Sequence, residues 1–235
     1  MSKNERKTED IVRDHFKKYL NSIILEEQTS DNQKIKKLLS VASKSGIGRG
    51  CPEFIIQYKN NPDLLIIIEC KADVAKHESK TRQHYKDCSV DGVLLYSSYL
   101  SKDFDVLSIA VSGEKERELK VSHFLQLKGE KKAIEIFSNK LLSPEDYIQG
   151  YLKSPEKFRQ DYNELLSFSK DLNDTLHTLQ IKEDLRALLI SAILIALEDS
   201  AFKKAYKDYT NAKQLARFLV DTTLNQFEKA KLQNT

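Results

Sequence analysis

The segment from Pro52 to Lys71 restricts the possible folds of this chain more than any other stretch. Two apolar runs of strand length, 54–58 and 64–68, flank the sequence Asn-Asn-Pro-Asp at 60–63. β-Branched and aromatic runs that are separated by turn-forming residues predict a β-hairpin. The second run has no polar alternation, so we expect it to form a central strand that is covered on both faces.

Polar side chains stand at the end of the second run. Glu69 and Lys71 are two residues apart, and because side chains alternate along a strand, both should point to the same side. A turn centred on residues 61–62 places Glu53, at the start of the preceding strand, opposite roughly Cys70. Two carboxylates and one lysine are therefore predicted to converge at one edge of the sheet.

Such a set of side chains suits a hard divalent cation such as Mg²⁺, which is held by one or two carboxylates together with substrate phosphate and water. Lys71 would orient or help to deprotonate a metal-bound water, while the metal stabilises charge on the phosphate. The alternative interpretation is a strand whose polar end simply reaches solvent. Glu53 favours the site, because it adds a second acidic residue, after Pro52, on the neighbouring strand.

These residues resemble the PD-(D/E)XK nuclease superfamily. Pro-Glu at 52–53 is followed, after fifteen residues, by Glu-Cys-Lys at 69–71, with Glu53 in the place where aspartate is usual in that superfamily. The literal Pro-Asp at 62–63 is assigned to the turn, because only five strand residues separate it from Glu69 and it lies at the far end of the strand. The glycine-rich stretch 45–50 resembles the approach to the first acidic residue in nuclease domains of restriction enzymes.

The resemblance implies two further site residues. Many members of the superfamily place a glutamate from an early helix at the metal, and Glu9, in a helix predicted over 4–20, is the candidate third ligand beside Glu53 and Glu69. A solvated glutamate that is favoured by the helix dipole is the alternative. Related nucleases also carry a catalytic glutamine on the helix after the Glu-x-Lys strand, which implies Gln83. The tyrosine that follows four residues later in those families is absent, since position 87 is an aspartate.

Two basic stretches are predicted to face DNA. The loop 44–50 contains three glycines, which let its backbone approach a ligand closely, but it does not match a Walker A motif. The stretch 76–86 holds four cations and two histidines shortly after the predicted active-site strand. For both stretches, the alternative is a solvated surface segment. The predicted contacts to DNA phosphate are Lys44, Arg49, Lys76, Lys80 and Arg82.

The order of elements predicts an α/β fold. Helix, helix, hairpin, helix, strand and strand match the PD-(D/E)XK nuclease core, a small mixed sheet flanked by helices, which we assign to residues 1–140. Gly92 lies inside the helix predicted over 90–100, where it weakens helix formation but permits close packing. Strand signals stop near Ser143, and we assign 141–235 to an all-α helical linker or bundle domain.

The helical domain contains the most apolar run of the chain, residues 187–197, which predicts a buried helix. The segment 185–197 is also similar to the helical segment that precedes the methyltransferase core in N6-adenine methylases of restriction-modification systems. Glycine-rich S-adenosylmethionine loops, Asn-Pro-Pro-aromatic motifs, Walker A motifs and repeated target-recognition segments are all missing from the sequence.

Composition sets broader limits. Charged residues make up 31% of the chain and the net charge is +3, which neither requires nor excludes nucleic acid. The three cysteines match no zinc-binding template and are expected to be reduced thiols. We find no signal peptide and no apolar stretch long enough for a membrane span, so we expect a soluble cytoplasmic protein that has no membrane partner.

Together these features predict a Mg²⁺-dependent endonuclease domain, in which Mn²⁺ can substitute, that hydrolyses phosphodiester bonds in double-stranded DNA. The resemblance implies a type IIG-like or type I-like restriction-modification enzyme. Its methyltransferase and target-recognition domains or subunits would be partners of this chain, and two copies would dimerise on DNA. Two alternatives remain: a catalytically silent nuclease-like module that binds DNA or a partner, and a helical assembly module.

Overall fold

The computed structural model describes residues 4–136 and 139–233. Over these residues the chain forms a six-stranded mixed sheet flanked by helices, followed by a helical region, so the expected α/β fold class is confirmed. The strands are β1 (Ile23–Glu27), β2 (Phe54–Tyr58), β3 (Asn61–Lys71), β4 (Asp105–Ser112), β5 (Lys120–Gln126) and β6 (Ile134–Glu135). The helices are α1 (Glu5–Lys17), α2 (Gln33–Leu39), α3 (Ser89–Leu100), α4 (Pro144–Leu152), α5 (Pro155–Thr178), α6 (Glu183–Leu197), α7 (Ser200–Ala205) and α8 (Ala212–Gln233).

Strand β3 lies in the middle of the sheet, where it pairs antiparallel with β2 and parallel with β4. Residues 64–68 are completely buried, as expected for a strand covered on both faces. Alternate side chains enter two separate cores. Leu64, Ile66 and Ile68 pack in the core that contains α1 and α4, whereas Leu65 and Ile67 pack in the core that contains α2 and α3. The apolar run therefore joins both layers of the protein.

The hairpin is present, but its register differs by one residue from the prediction. Phe54 pairs with Ile68, so the extension of this register places Glu53 opposite Glu69 rather than opposite Cys70. The turn lies at 59–60 rather than at 61–62, so that Tyr58 pairs with Asn61 and the Pro-Asp at 62–63 belongs to β3 rather than to the turn. An irregularity between residues 57 and 58 then shifts the pairing in the opposite direction, which leaves a net difference of one residue. A β-bulge absorbs extra residues on one strand and so changes which side chains face each other.

Three other features had no stated expectation from the sequence. Residues 23–27 form strand β1, which pairs antiparallel with β2. The side chain of Asn32 caps α2 by accepting a hydrogen bond from the amide of Lys34. The short strand β6, which extends the other edge, had no clear sequence signal. Edge strands depend on a partner that a local pattern does not reveal.

The segment that follows β3 consists of turns and one short 3-10 helix, Val74–Lys76, up to the start of α3. His77 is buried beneath it, with Nδ1 3.0 Å from Ser112 Oγ and Nε2 2.9 Å from Ser122 Oγ. The buried carboxylate of Asp91 accepts hydrogen bonds from the backbone amides of Ser79 and His84. These two buried polar side chains fasten the basic segment to the sheet and to α3.

Helix α4 belongs to the sheet unit. Tyr147 and Tyr151 are buried in the α1 core, and the Tyr151 hydroxyl donates a 2.5 Å hydrogen bond to Asp105, whose carboxylate also lies 3.2 Å from Lys157 Nζ. The chain accordingly divides into compact units between Gln160 and Asp161. The predicted domain boundary at 140/141 lies before α4, because the loss of strand signals does not reveal which helices cover a sheet.

The carboxy-terminal unit is helical, but the expectation that α6 is a buried helix is wrong. Leu188 is 66% exposed and Leu194 is 60% exposed, although both belong to the most apolar run of the chain. Within this unit α6 packs against α7 and α8, which cover only part of its circumference. Among residues 4–136 and 139–233, no helix is both long enough and apolar enough to cross a membrane.

The environment of His77 predicts a specific loss of stability in acid. Burial, with a contribution from the Lys120 ammonium, lowers the pKa of His77 to about 4, below its ordinary value of 6.5. The unfolded chain therefore takes up a proton first, so this stabilisation is present above about pH 6.5 and declines as the pH falls towards about 4. We measure the free energy of unfolding in urea at about pH 6.5 and at about pH 4. We expect the difference between the two values to be smaller by about 2 kcal/mol in His77→Gln than in the unmodified protein.

His84→Gln is the matched control for this measurement, because His84 is exposed in the same segment. It should retain the acid sensitivity of the unmodified protein. An identical pH dependence in His77→Gln and in the unmodified protein would contradict the assignment of a buried neutral histidine.

Candidate active site

The carboxyl end of β3 brings the predicted active-site residues together. Lys71 Nζ lies 3.7 Å from Glu69 Oε1, so the two side chains project to the same side. Both are buried despite their charge, with Glu69 fully inaccessible and Lys71 6% exposed. Burial of charged groups is costly unless they are paired. The charged side chains at this end of the strand therefore need partners of opposite charge to offset the cost of their burial.

Glu53 adds a second carboxylate from the start of β2. After the larger effect of burial, the charge of Glu53 raises the pKa of the Glu69 carboxyl. Oε2 of Glu53 and Oε2 of Glu69 are buried, and neither has a hydrogen-bond partner within the described parts of the chain. Buried acceptors without a donor are rare in folded proteins, and each calls for an explanation such as a water or an ion.

The electrostatics of the site are dominated by burial. Desolvation raises the pKa of Glu69 well above its usual value, Glu53 raises it further, and the ammonium of Lys44 acts in the opposite direction. Burial and the charge of Glu53 likewise raise the pKa of Glu9. Negative charge is thus concentrated at this edge of the sheet, where it costs free energy unless a cation offsets it.

Helix α1 supplies carboxylates, as the resemblance implied, but Glu9 is not the one that contacts the lysine. Oε1 of Glu5, one turn earlier, lies 3.1 Å from Lys71 Nζ, while half-buried Glu9 feels the charge of Glu53. The helix is held in place by Thr8, whose hydroxyl donates a 2.7 Å hydrogen bond to the carbonyl of Gly113. Sequence reasoning missed Glu5, although its spacing of four from Glu9 puts both on one helix face.

Lys44 occupies a different place from the one predicted for a DNA contact. Its ammonium forms an ion pair with Glu69 Oε1 and lies 5.3 Å from the centroid of the Tyr96 ring, so only 16% of the side chain is exposed. Arg49, the other predicted contact in this loop, donates a 3.1 Å hydrogen bond to the carbonyl of Gln28 at the surface. Only the second of these two cations is therefore directed towards solvent.

The basic segment after β3 is exposed. Lys76 and Lys80 are exposed, and Arg82, with a left-handed φ of 54°, pairs with Glu78 and lies 5.2 Å from the centroid of the Phe124 ring. Gln83 lies exposed in the irregular stretch before α3 and not on a helix, in contrast to the placement that the resemblance implied. The chain stays irregular here because Asp91 binds the backbone amides that a helix would use internally.

Gly92 on α3 forms one wall of the site. A Cβ at this position would lie 3.2 Å from Glu69 Cδ, 3.2 Å from Lys44 Cε and 2.9 Å from the carbonyl oxygen of Tyr85. The sequence indicated only that Gly92 permits close packing. In the structure, the missing side chain of Gly92 leaves room for the buried Glu69 carboxylate and for Lys44. This requirement explains why a glycine stands inside α3, although glycine weakens a helix.

The described residues contain no group of three or more His, Cys, Asp or Glu side chains arranged to hold a metal ion. The preformed part of the site is instead a pair of carboxylates, Glu53 and Glu69, flanked by Lys44 and Lys71. Two carboxylates together with substrate oxygens and water satisfy the usual coordination of Mg²⁺. The oxygens without a hydrogen-bond partner on both side chains fit such a cation.

Comparison with known proteins relates this chain to a restriction-modification enzyme. It is similar to the type II restriction enzyme and methyltransferase RM.BcgI of Heyndrickxia coagulans, with 29% identity over 201 residues. The similarity covers 77% of this chain but 31% of the relative, so the chain spans less than a third of that protein's length. No protein-family profile matches the chain. No solved structure matches it.

The close approach at Gly92 predicts that a methyl group is not tolerated there. Gly92→Ala should lower the free energy of unfolding by about 1–2 kcal/mol, although alanine normally stabilises a helix interior by about 1 kcal/mol over glycine. The reason is the 2.9 Å contact with the carbonyl oxygen of Tyr85, which cannot move as easily as a side-chain end. Denaturant unfolding measures the difference.

Ser98→Ala provides the control, because it improves helix propensity at an exposed position of α3 without a new contact. A Gly92→Ala variant that is as stable as the unmodified protein would show that α3 lies farther from the carboxylate than the structure places it.

Proposed function

We propose that this chain is a metal-dependent DNA endonuclease module of a restriction-modification system, with a PD-(D/E)XK active site at the carboxyl end of β3. One observation carries the proposal. Glu53 and Glu69 present buried oxygens without hydrogen-bond partners in the described structure, and the ammonium of Lys71 lies 3.7 Å from Glu69 Oε1. A purely structural role for these side chains would leave the cost of their burial unexplained.

The proposed ligands of a divalent cation are Glu53 and Glu69, with Glu9 from α1, whose pKa is raised by burial and by the charge of Glu53, as the proposed third ligand. When bound, Mg²⁺ or Mn²⁺ would polarise the scissile phosphate and lower the pKa of the attacking water. Lys71 is held between Glu5 and Glu69, which fixes its ammonium at the opening of the carboxylate pair. From there it can position the attacking water and stabilise charge on the phosphate.

The proposed DNA-binding surface is the basic segment between β3 and α3. Lys76, Lys80 and Arg82 are exposed on this segment. The first of them, Lys76, lies five residues after Lys71, the last residue of the active-site strand. Because His77 and Asp91 fix its backbone, only the side chains of these cations need to be ordered when DNA binds. Contacts of this kind orient the backbone of DNA and carry no sequence information.

The relative suggests the wider context of this activity. Its printed name combines a restriction enzyme with a methyltransferase, and the present chain corresponds to 31% of it. We therefore infer that methyltransferase and target-recognition domains or subunits act together with this chain, and that cleavage by the chain alone is weak or nonspecific. Two copies that dimerise on DNA would place one site at each strand. Gln83 stays a predicted catalytic residue, and it lies in the irregular stretch before α3.

One observation favours the alternative, a catalytically silent module that binds DNA or a partner. The ion pair between Lys44 and Glu69 already offsets part of the buried charge without a metal. Glu53 argues against this alternative, because a second buried carboxylate adds repulsion that a silent fold does not need. Cleavage measurements distinguish the two functions.

Plasmid cleavage tests the proposal directly. With Mg²⁺ or Mn²⁺ and a high protein concentration, we expect nicking or linearisation of supercoiled DNA that EDTA abolishes. Lys71→Ala and Glu69→Gln should each lower the rate by about 100-fold or more, because each removes a charged group at the reacting phosphate. Lys37→Ala, at an exposed position of α2, is the matched lysine control and should cut normally.

Two outcomes would contradict this assignment in different ways. Metal-dependent cutting that survives in Lys71→Ala would place the active site elsewhere in the chain. Intact DNA binding without any cutting by the unmodified chain would contradict cleavage by this chain alone and would favour the silent module.

The salt dependence of DNA binding tests the proposed surface. Lys80→Ala and Lys76→Ala should each reduce the slope of log K against log salt by about 1, because each phosphate contact releases about one counterion. Affinity should fall about equally for unrelated duplex sequences, as measured by fluorescence anisotropy. Unchanged slopes in both variants, equal to that of Lys37→Ala, would remove the segment from the interface.

A further inference from the structure

The geometry points to a second role at the same site: Lys44 is the residue that controls access of a metal ion to Glu69. In this structure its ammonium pairs with the carboxylate, and it must leave before a cation can bind there. The inference rests on the proposed function, because it concerns the same carboxylate pair. It goes further by assigning metal affinity to a residue outside the Glu-x-Lys motif.

The contact itself is the first argument. Lys44 Nζ pairs with Glu69 Oε1, whereas Lys71 Nζ lies 3.7 Å from the same oxygen and pairs more closely with Glu5. Lys44 is therefore the direct cationic partner of Glu69 in this structure. An ammonium and a divalent cation cannot both occupy the position next to one carboxylate oxygen.

The surroundings of Lys44 are shaped for the ammonium. Its charge lies 5.3 Å from the centroid of the Tyr96 ring, within the range of a cation–π interaction. Gly92 leaves the space in which Lys44 Cε and Glu69 Cδ meet, since a Cβ there would lie 3.2 Å from each atom. Three elements, the loop before β2, β3 and α3, thus cooperate to hold one lysine on one carboxylate.

The loop that carries Lys44 has the features needed to release it. Gly46 and Gly48 adopt left-handed φ values of 86° and 108°, and a Cβ on Gly46 would meet no atom within 4 Å. Ile47 between them is 92% exposed. Gly50 closes the loop tightly, because a Cβ there would lie 2.6 Å from the carbonyl oxygen of Ala42. The movable part is therefore the stretch 44–49, between fixed ends.

Release of Lys44 links metal binding to DNA binding. Once it leaves Glu69, the ammonium is free to pair with another anion, and a DNA phosphate at the site is the anion that the proposed function brings there. DNA that takes up Lys44 would raise the affinity of the carboxylate pair for a cation. By thermodynamic linkage, the cation would raise the affinity for DNA by the same factor.

The test is the affinity of the full chain for Ca²⁺, measured by isothermal titration calorimetry without DNA. Ca²⁺ prefers oxygen ligands and accepts irregular geometry, so it reports on the carboxylates alone. We expect Lys44→Met to bind about 10-fold or more tightly than the unmodified protein, because a lysine-bound state that is populated about 90% of the time masks the site about 10-fold. Glu69→Gln should abolish binding.

Lys71→Met is the matched control for simple charge removal. It also deletes one positive charge near Glu69, but not the ammonium that occupies the carboxylate, so its affinity should rise much less than that of Lys44→Met. Lys44→Gln serves as the second variant if thermal unfolding shows that Lys44→Met is not folded. Equal gains in Lys44→Met and Lys71→Met, or no gain in Lys44→Met, would overturn the inference and leave the proposed function intact.

Failure of the proposed function has a separate signature. Ca²⁺ binding that is unchanged in Glu69→Gln would place the metal elsewhere, and binding by none of the proteins would contradict both proposals. The link to DNA is tested by repeating the titration with a saturating short duplex. DNA should tighten Ca²⁺ binding in the unmodified protein and have a much smaller effect in Lys44→Met, and equal tightening in both would exclude Lys44 from the coupling.

Discussion

The burial of the Glu69 carboxylate at the end of the central strand is the constraint on which the rest of the site depends. A carboxylate that is fully inaccessible costs several kcal/mol unless its charge is offset, and its pKa is raised as a result. The chain surrounds it with two ammonium groups, Lys44 and Lys71, and with a helix that carries no side chain at Gly92. Yet it also places Glu53 alongside, which increases the cost. An arrangement that pairs two carboxylates and leaves buried oxygens without hydrogen-bond partners is more costly than a stable core requires, and functional sites are where such costs are found.

The fold supplies what the site needs by fastening it from two of its three sides. Thr8 docks α1 against the turn after β4, so that Glu5 and Glu9 face the end of β3. His77 and Asp91 bind the segment after β3 and keep its cations exposed. The remaining side is the glycine loop with Lys44, the least fastened part, whose backbone needs left-handed conformations and whose tip is exposed. Rigid support on most sides and one adjustable side suit the proposed function, in which the site would admit both a cation and a phosphate.

Features of the fold and of the site that follow from local sequence patterns were predictable, whereas those that depend on contacts between distant residues were not. The apolar run 64–68 and the Glu-x-Lys that follows are local patterns, and they led correctly to the hairpin, to the buried central strand and to the shared side of Glu69 and Lys71. Predictions that needed a partner in space were less accurate. The position of the turn and the bulge near Tyr58 together changed the residue opposite Glu53. The hydrogen bonds from backbone amides to Asp91 kept the segment with Gln83 from forming a helix. The apolar run in α6 predicted burial, but its exposure depends on how few helices surround it.

The sequence by itself determined the strand order within the hairpin, the acidic and basic residues at its end and the change to helices after Ser143, because each follows from periodicity or from neighbouring residues. Tertiary structure decided which charges meet. Lys44 lies 25 positions before Glu69 and Glu5 lies 66 before Lys71, and no local pattern encodes those encounters. The physical reason is that ion pairs act over a few ångströms in space, and only the packing of α1, α3 and the glycine loop against β3 brings these side chains within that range.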